Sequence, residues 1–413
     1  MNTLRTRRLK PGVHILAVAL TLSLASACAS AKTEEAATPT DSSKPSATET
    51  VLAVDFSPAE EQKLLEPYAN WAEGAGPEWD ALLAKAKKEG SVSIASTPNP
   101  AVRKLLAEQF EADTGIKVQY LPNAVPAEIT GRLRTEAAAG KISLDVFLSG
   151  YPGVVDELPA GLLRPLAPEL ILPSVTKADG WDGGAQLWQD NDKKYLLRLL
   201  NYVTGYPTVN TDVVDPTTIK VFDDLLDPSL SGKIAQFDPR RPGPGSPAAV
   251  YIAVDKGRAF AEEFYTKQKP QFTTDQRQLA DWVAKGTYPV GLGVDVQQSQ
   301  ALRSQGLPML PVFPSDFPGL LTSGYGILRL FDKSPHPAAG TVLANWLASP
   351  RGAQVLQLSF DQPSTRADVE VTKNIPEEII AKEGTTYVDQ NTEDYVKASL
   401  VPGTKTLNEV IGQ

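Results

Sequence analysis

Cysteine is almost absent from this chain, which has a single one, Cys28, among 413 residues. A lone cysteine excludes an intrachain disulfide and any metal site built from several thiolates. Histidine is also scarce, with two residues, His14 and His336. Because protein zinc sites are built from clusters of His and Cys, we expect neither a zinc centre nor another cofactor.

An apolar run long enough for a transmembrane helix is also missing. The most apolar stretch, VHILAVALTLSLASA, falls short of the roughly 20 residues that a bilayer crossing needs. Four basic residues precede it with no acidic residue among them: Arg5, Arg7, Arg8 and Lys10. Basic residues, a short apolar run and small residues are typical of a secretory signal, so we expect residues 1–27 to be removed.

Cys28 ends the tetrapeptide ASAC, directly after the predicted cleavage point. This stretch resembles a bacterial lipobox, although Ala25 stands at the position where Leu is usual. We therefore expect a thioether-linked lipid with palmitate on Cys28, and an incidental residue of a plain secretory signal is the alternative. The predicted location is the outer face of the cell membrane, or the periplasm.

Composition separates a spacer from a folded region. Residues 29–50 are rich in Ala, Thr, Ser and Glu, which predicts a disordered spacer over 28–75 and a fold that begins near the helical pattern at 77–90. The net charge is −9, and it becomes more negative once the basic leader is removed. An acidic chain without a basic block argues against a nucleic-acid partner.

From residue 77 onward, helical and strand patterns alternate. Apolar residues recur at helical spacing in three stretches that each end at a glycine, 77–90, 101–115 and 127–140. Three short apolar stretches are typical of strands, 91–96, 116–121 and 144–150. This alternation predicts a parallel, doubly wound sheet that binds ligands at the carboxyl ends of its strands.

A second alternating set follows the extended segment 195–214, which we expect to pass between two lobes. Its strands are predicted at 232–238, 288–295 and 324–331, and its helices at 246–257, 273–286 and 336–349. We assign 76–203 plus 312–360 to lobe 1 and 204–311 plus 361–413 to lobe 2. Two such α/β lobes would enclose a cleft.

Four blocks in order carry a family resemblance. They are WDALLAKAKKEGSVSIAS (79–96), the stretch 105–150, VAKGTYPVGLGVD (283–295) and the stretch 324–356, which PSTRADV (363–369) follows. With these blocks the chain resembles the substrate-binding proteins of bacterial ABC importers, in the extracellular solute-binding family 1 that includes ferric-iron and thiamine binders. The resemblance implies a type II periplasmic-binding-protein-like α/β fold of two lobes. Each lobe would be a mixed, mostly parallel sheet flanked by helices, and a monomer would close on a solute and deliver it to a membrane permease.

One departure from the resemblance bears on the ligand. Ferric binders of the family have two adjacent tyrosines that ligate iron after the strand matching 288–295, whereas this chain has Val296 and Gln297 there. Fe(III) is a hard cation that prefers anionic oxygen ligands, and neither residue supplies one. Iron bound through another ligand set, or a thiamine phosphate, stays an alternative.

The stretch FDPRRPGPGSPAAV (237–250) is the main candidate for the solute site. Arg240 and Arg241 can bind a carboxylate, phosphonate or phosphate through paired hydrogen bonds, and the following glycines allow close approach to the backbone at a helix start. These residues predict a small anionic organic solute. The alternative is that one or both arginines pair with surface acids such as Asp238. A relaxed dinucleotide fingerprint, GPGSPA, overlaps the stretch, but its prolines and an exported location argue against NAD.

Further candidates lie at the presumed ends of strands. Ser96, Thr97, Ser149 and Tyr151 offer hydroxyls in lobe 1, with loop capping as the alternative. In lobe 2 and between the lobes, the candidates are Asp295, Gln297 and Tyr325. For Asp295 the alternatives are orienting an arginine, holding a cationic part of the solute, or capping a helix.

Two other classes of function are less well supported. An exported hydrolase of the Ser-His-Asp type would need His336 as its base, and the chain contains no G-x-S-x-G elbow. Paired-carboxylate glycosidase chemistry has no motif that would position two acids. A surface lipoprotein that binds another protein fits the two-lobe pattern less well than solute capture does.

Overall fold

The computed structural model describes residues 56–412 except 124–125, 151–152, 241–242 and 244. The signal, Cys28 and most of the predicted spacer therefore lie outside the described residues. Within the described ranges, none of the helices combines the length and the apolar character that a bilayer crossing requires.

The described residues form helices along the whole of their length, and most of these helices begin with proline. The helices are α1 (Pro58–Leu65), α2 (Pro77–Glu89), α3 (Pro100–Thr114), α4 (Pro126–Ala138), α5 (Pro173–Thr176), α6 (Ser246–Val250), α7 (Arg258–Glu263), α8 (Gln276–Ala284), α9 (Val296–Ser304), α10 (Pro337–Ala348), α11 (Pro350–Phe360), α12 (Glu393–Tyr395) and α13 (Val401–Ile411). Proline suits the first helical turn, where its missing N–H costs nothing.

The strands are short and alternate with these helices. They are β1 (Ser91–Ser96), β2 (Lys117–Pro122), β3 (Val146–Leu148), β4 (Leu163–Arg164), β5 (Leu187–Trp188), β6 (Leu197–Arg198), β7 (Tyr202–Thr204), β8 (Thr208–Asn210), β9 (Ile234–Phe237), β10 (Gln271–Thr273), β11 (Val290–Leu292), β12 (Met309–Pro311), β13 (Leu320–Thr322), β14 (Ile327–Phe331) and β15 (Val388–Asp389).

The first sheet has the order β2-β1-β3-β14-β6-β5, and β4 also pairs with β14. Strands β2, β1 and β3 are parallel, as the sequence predicts, and β14 joins them antiparallel to β3. Buried apolar residues of α2, α3 and α10 pack together with residues of this sheet; examples are Trp79, Phe110 and Trp346. The sheet is therefore mixed and flanked by helices.

The second sheet has the order β10-β9-β11-β8-β12. Strands β10, β9 and β11 are parallel, while β8 and β12 run antiparallel to their neighbours. Its core contains Phe222, Phe264 and Leu292, together with Leu407 from α13. The predicted helix at 246–257 is α6, which continues as a π-helical turn over Tyr251–Asp255.

A third, small sheet lies where the chain passes between the two larger ones. The chain leaves the first sheet after β6, runs through β7 into β8, and returns from β12 through β13 into β14. Strands β7 and β13 pair antiparallel, and β15 pairs parallel with β13. The predicted extended crossover at 195–214 thus contains β6, β7 and β8.

The folded part begins further upstream than the sequence analysis expected. The predicted spacer 28–75 includes α1, whose Ser57 forms a capping box with Glu60. Leu65 is fully buried, and its carbonyl accepts a hydrogen bond of 2.9 Å from Arg351 Nη1. Trp71 packs edge-on against Trp79. The spacer boundary at residue 75 is therefore wrong for residues 58–75, because their apolar side chains are buried against distant helices.

The segment 361–413, which was assigned to lobe 2, contacts both cores. Arg366 donates to the carbonyl of Ala348, and Asn374 donates to the carbonyl of Gln357, so residues 366–374 lie against α10 and α11. The C-terminal helix α13 instead packs into the core of the second sheet. The other lobe boundaries stay a prediction.

Candidate functional site

The first sheet brings predicted residues to one edge. Ser96 ends β1 and Thr97 follows it, while Ser149 follows β3. Because β1 and β3 are parallel, their carboxyl ends lie side by side. All three residues are buried, and Ser149 is held by its N–H, which donates to the carbonyl of Ile327 at 3.1 Å. Tyr151 lies outside the described residues.

The second sheet presents an equivalent edge. Strands β9 and β11 are parallel with Gln236 opposite Leu292, so the chain beyond Phe237 and the chain beyond Leu292 leave the sheet together. Asp295 begins α9 as its N-cap, and its Oδ1 accepts a hydrogen bond of 3.0 Å from the N–H of Gln298. Asp295 therefore has the helix-capping role that the sequence analysis gave as an alternative. This role uses Oδ1 of the carboxylate.

Polar groups from separate segments converge between these two edges. The Tyr325 hydroxyl interacts with the side chain of Thr97 from the first sheet and with the carboxylate of Asp295 from the second. Tyr202, on β7, interacts with both Asp295 and Tyr325. The Tyr120 hydroxyl donates to the carbonyl of Thr97 at 2.8 Å. These five residues form the cleft cluster.

Burial controls the ionisation of the cleft cluster. It raises the pKa of the Tyr202 and Tyr325 hydroxyls, and the nearby Asp295 carboxylate raises both pKa values further. Burial also raises the pKa of Tyr120, to about 12. The Asp295 carboxyl has a raised pKa for the same reason, while hydrogen bonds from the backbone at Gln298 and Gln297 act in the opposite direction. The phenols are therefore neutral hydrogen-bonding groups at physiological pH.

Gln297 joins the two sides of the cleft instead of facing an open site. Its Nε2 donates to the carbonyl of Phe360 at 2.9 Å and to Asp361 Oδ2 at 2.7 Å. Phe360 in turn stacks on Tyr325, with ring centroids 6.3 Å apart. The Gln297 amide thus links the start of α9 to the end of α11, next to the cleft cluster.

A comparison with protein families identifies the family of this chain. A family model described as bacterial extracellular solute-binding protein matches residues 91–359, which contain both sheets and all five members of the cleft cluster. The chain belongs to this family. Its members are exported binding proteins, so the cleft of this solute-binding protein is the place to look for its ligand. A sequence comparison with curated proteins found no match.

Solved structures share the fold of this solute-binding protein. The ferric binding protein from Campylobacter jejuni is 17% identical, with a TM-score of 0.61, and the match covers 77% of this chain and 99% of that one. Iron-bound HitA from Pseudomonas aeruginosa is 18% identical, with a TM-score of 0.58 and coverage of 78% and 99%. AfuA from Actinobacillus pleuropneumoniae, with fructose-6-phosphate bound, is 18% identical, with a TM-score of 0.58 and coverage of 78% and 98%. Such identities show a common two-lobed fold of periplasmic binding proteins and leave the ligand open.

The arginine stretch of the solute-binding protein is arranged differently from the anion loop that its sequence suggests. Arg240 donates from Nε and Nη2 to the two carboxylate oxygens of Asp238, each at 2.8 Å, and its guanidinium lies 5.3 Å from the ring centroid of Phe272. Asp238 raises the pKa of Arg240 through this pair. Arg240 therefore adopts the alternative role, a pair with a neighbouring acid, and Arg241 lies outside the described residues.

The glycines of the same stretch serve packing. A Cβ at Gly245 would lie 2.1 Å from the carbonyl oxygen of Phe237, and one at Gly243 would lie 2.8 Å from its ring. Only glycine allows the loop to approach β9 this closely. The sequence analysis assigned these glycines to close approach of a ligand to the backbone. In the structure they instead allow a close contact between the loop and Phe237.

Three residues of the site were missed in the sequence analysis. Tyr202 and Tyr120 belong to the cleft cluster, and Gln362 lies beside Tyr202. A Cβ at Gly324 would lie 2.9 Å from Tyr202 Cε1 and 3.0 Å from Gln362 Oε1, so both side chains lie over that glycine. An available signal was the aromatic residue at position 202 in the crossover 195–214, since a crossover between lobes borders the cleft.

Proposed function

We propose that this protein captures a small organic solute with an anionic group between its two larger sheets and delivers it to an ABC permease. One observation carries the proposal: Thr97 and Tyr325 beside the first sheet, and Asp295 beside the second, interact in one cluster. A cleft that draws polar groups from both sides suits reversible capture by closure, without covalent chemistry. A lipid on Cys28 would keep the monomer at the membrane.

The chemistry of the cleft cluster supports an organic solute. Neutral phenols, the Thr97 hydroxyl and one carboxylate offer hydrogen bonds, and the ring of Tyr325, which packs on buried Phe360, offers an apolar surface. Organic ligands are bound by such a combination of aromatic walls with a few placed polar groups. AfuA, which has the same fold, binds fructose-6-phosphate, so a phosphorylated solute is a reasonable first probe.

The anionic character rests on Arg241. Arg240 is paired with Asp238, whereas Arg241, the second arginine of the stretch, lies outside the described residues. Because arginine pairs with a phosphate or carboxylate through two hydrogen bonds, Arg241 is the candidate partner of the anionic group.

A thermal-shift titration of residues 29–413 tests this function. We expect fructose-6-phosphate, or another anionic organic solute in a panel with inorganic phosphate and thiamine phosphate, to raise the melting temperature by mass action. Arg241→Ala should weaken binding about 10- to 100-fold, because hydrogen bonds to charged groups contribute about 1.5–3 kcal/mol. The matched variant Arg240→Ala should have a smaller effect. Stabilisation by neutral or cationic solutes alone would refute an anionic ligand.

Ferric iron is the second candidate, because oxygen donors of Tyr202, Tyr325 and Asp295 converge. Such hard donors suit Fe(III). Against iron, burial raises the pKa of both phenols, so the metal would have to displace two tightly held protons. Ferric citrate that produces a visible phenolate-to-iron charge-transfer band, lost in Tyr202→Phe, would favour iron over an organic solute.

A further inference from the structure

Three segments of the chain connect the two larger sheets. The first connection (199–207) leads from β6 to β8, and the second (312–326) returns from β12 to β14. The third connection (375–400) begins after residues that lie against α10 and α11 and ends at α13, which packs into the second core. When the two sheets move relative to each other, these three connections must absorb the change in backbone angles.

One buried guanidinium contacts all three connections. Arg198, the last residue of β6, is 1% exposed. It donates from Nη2 to Asn201 Oδ1 at 2.7 Å on the first connection, from Nε to Ser323 Oγ at 2.8 Å on the second, and from Nη1 to Asp389 Oδ2 at 2.7 Å on the third. Because the guanidinium is a rigid plane, it holds the three connections at fixed distances from one another.

The partners of Arg198 differ from those of another buried arginine that is paired with an aspartate. Arg366 donates to Asp368 and to the carbonyls of Ser174 and Ala348. Ser174 and Ala348 belong to α5 and α10, which pack in the first core, so Arg366 stabilises one core. Arg198 instead joins side chains from the segments that lie between the cores.

The same contacts fix the position of two tyrosines of the cleft cluster. Asn201 directly precedes Tyr202, and the second connection passes from Ser323 through Gly324, with a φ of +50°, to Tyr325. A Cβ at Gly324 would lie 2.9 Å from Tyr202 Cε1 and 3.0 Å from its hydroxyl oxygen, so the Tyr202 ring lies over the peptide that leads to Tyr325. The register of the first connection against the second therefore sets where both phenols lie.

We propose that Arg198 is the pivot of solute capture, the positioning residue about which the two sheets close. It does not touch the solute and acts through Tyr202 and Tyr325, which its bonds keep in place. A fixed pivot strengthens binding because less conformational freedom is lost when the cleft closes. This inference rests on the proposed function, capture by closure, and adds the residue that defines the closed geometry.

Spin-label distances between the sheets test the pivot without a solute. Residues 29–413 contain no cysteine, so Lys87→Cys on α2 and Arg277→Cys on α8, both exposed, place one label beside each sheet. With the pivot intact, we expect narrow open and closed populations. Ser323→Ala or Asn201→Ala frees one connection and should give a distribution about twofold wider. Unchanged widths in both variants would overturn the inference.

A pair of conservative variants separates positioning from folding. Arg198→Lys keeps the charge beside Asp389 but cannot donate to three acceptors in one plane, so its distance distribution should broaden. Arg366→Lys makes the same change within one core. Urea unfolding should show a loss of stability in both variants, whereas only Arg198→Lys should broaden the distribution. Broadening in both or in neither would contradict the pivot, and Ser323→Ala decides if Arg198→Lys does not fold.

Solute affinity distinguishes failure of the pivot from failure of the proposed function. Calorimetry with fructose-6-phosphate should show binding to Ser323→Ala about fivefold weaker than to wild type, as expected for one lost hydrogen bond. If wild type and Ser323→Ala bind it equally, only the pivot fails. If no solute of the panel binds wild type, the proposed function fails, and the distance distributions still show whether Arg198 fixes the movement of the sheets.

Discussion

At the scale of single residues, the partners of buried acids decide whether those acids stabilise the fold. Asp145 accepts hydrogen bonds from the N–H and hydroxyl of Ser93 and from the N–H of His336, so its charge is well satisfied. Glu157 is paired with Arg329 where both are fully buried. Asp295 accepts hydrogen bonds only from the backbone at Gln298 and Gln297, and it has no basic partner among the described residues. The first two acids are expected to stabilise the protein, whereas Asp295 should cost stability in the absence of solute.

Asp295→Asn should therefore make the solute-free protein more stable at neutral pH. Burial raises the pKa of Asp295 above its value in the unfolded chain, so its penalty is fully present above the folded pKa and disappears as the pH falls through it. The facing groups, Tyr202 and Tyr325, stay neutral in this range. Urea unfolding should show a gain over wild type at pH 8 that shrinks toward pH 4. A loss of stability at pH 8 would mean that Asp295 has a structural counter-charge.

Glu157→Gln should destabilise the protein by about 3–5 kcal/mol, because it leaves the buried charge of Arg329 without its partner. Arg329 Nε lies 2.6 Å from Glu157 Oε2, and its guanidinium also lies 4.5 Å from the ring centroid of Phe147. The free energy of unfolding from urea titration measures the effect. Asp281→Asn, which breaks an exposed pair with Lys285, is the control and should cost less than about 1 kcal/mol. Equal costs for the two variants would show that Arg329 finds another partner.

At the scale of elements, helices and strands were predicted best where the segment's own sequence contains the signal, such as an apolar repeat that ends at a glycine. The strand at 91–96 coincides with β1, and three helices that end at glycines are found within two residues of their predicted bounds. Helix α1 was missed although its capping box, Ser57 with Glu60, is legible, because its apolar side chains acquire a partner only when α11 packs on it. The antiparallel entry of β14 beside β3 has no signature in periodicity.

Truncation before and after the segment 56–75, which contains α1 and Trp71, tests how much this segment contributes. A chain that begins at residue 56 should unfold like residues 29–413, whereas one that begins at residue 76 loses buried Leu65 and Trp71. Each such side chain contributes about 1.5–3 kcal/mol when buried, so the shorter chain should lose about 3 kcal/mol or more of its free energy of unfolding. Equal unfolding curves would show that the segment 56–75 is dispensable.

The link made by Gln297 should affect solute affinity more than folding. Gln297→Leu removes hydrogen bonds from α9 to Phe360 and Asp361 across the cleft, so closure on the solute becomes less favourable. We expect calorimetric affinity to fall about five- to tenfold, as for a net hydrogen bond of about 1 kcal/mol. Gln305→Leu, at the exposed end of the same helix, should leave affinity unchanged. An unaltered affinity in Gln297→Leu would separate this link from closure.

At the scale of the whole molecule, the site depends on contacts that sequence patterns do not reveal. Strand ends predicted Ser96, Thr97 and Asp295, because the carboxyl ends of parallel strands share an edge. Tyr202 was missed because its contact with Asp295 exists only once two sheets and their crossovers are assembled. Arg240 was predicted to face a ligand, but an acid two residues away satisfies it first. Local sequence patterns thus identified the family and the sheet edges. Tertiary contacts determine which of the candidate residues belong to the cleft cluster.

Hydrogen–deuterium exchange with and without solute tests most directly whether the cleft captures it. The measurement would use the solute that gives the largest rise in melting temperature and would follow peptides that cover 94–99, 200–204, 293–299 and 322–327. Capture between the sheets predicts slower exchange in all four, since they contain Thr97, Tyr202, Asp295 and Tyr325, with little change in α13. Protection of peptides beside only one sheet, or protection elsewhere alone, would contradict capture in this cleft.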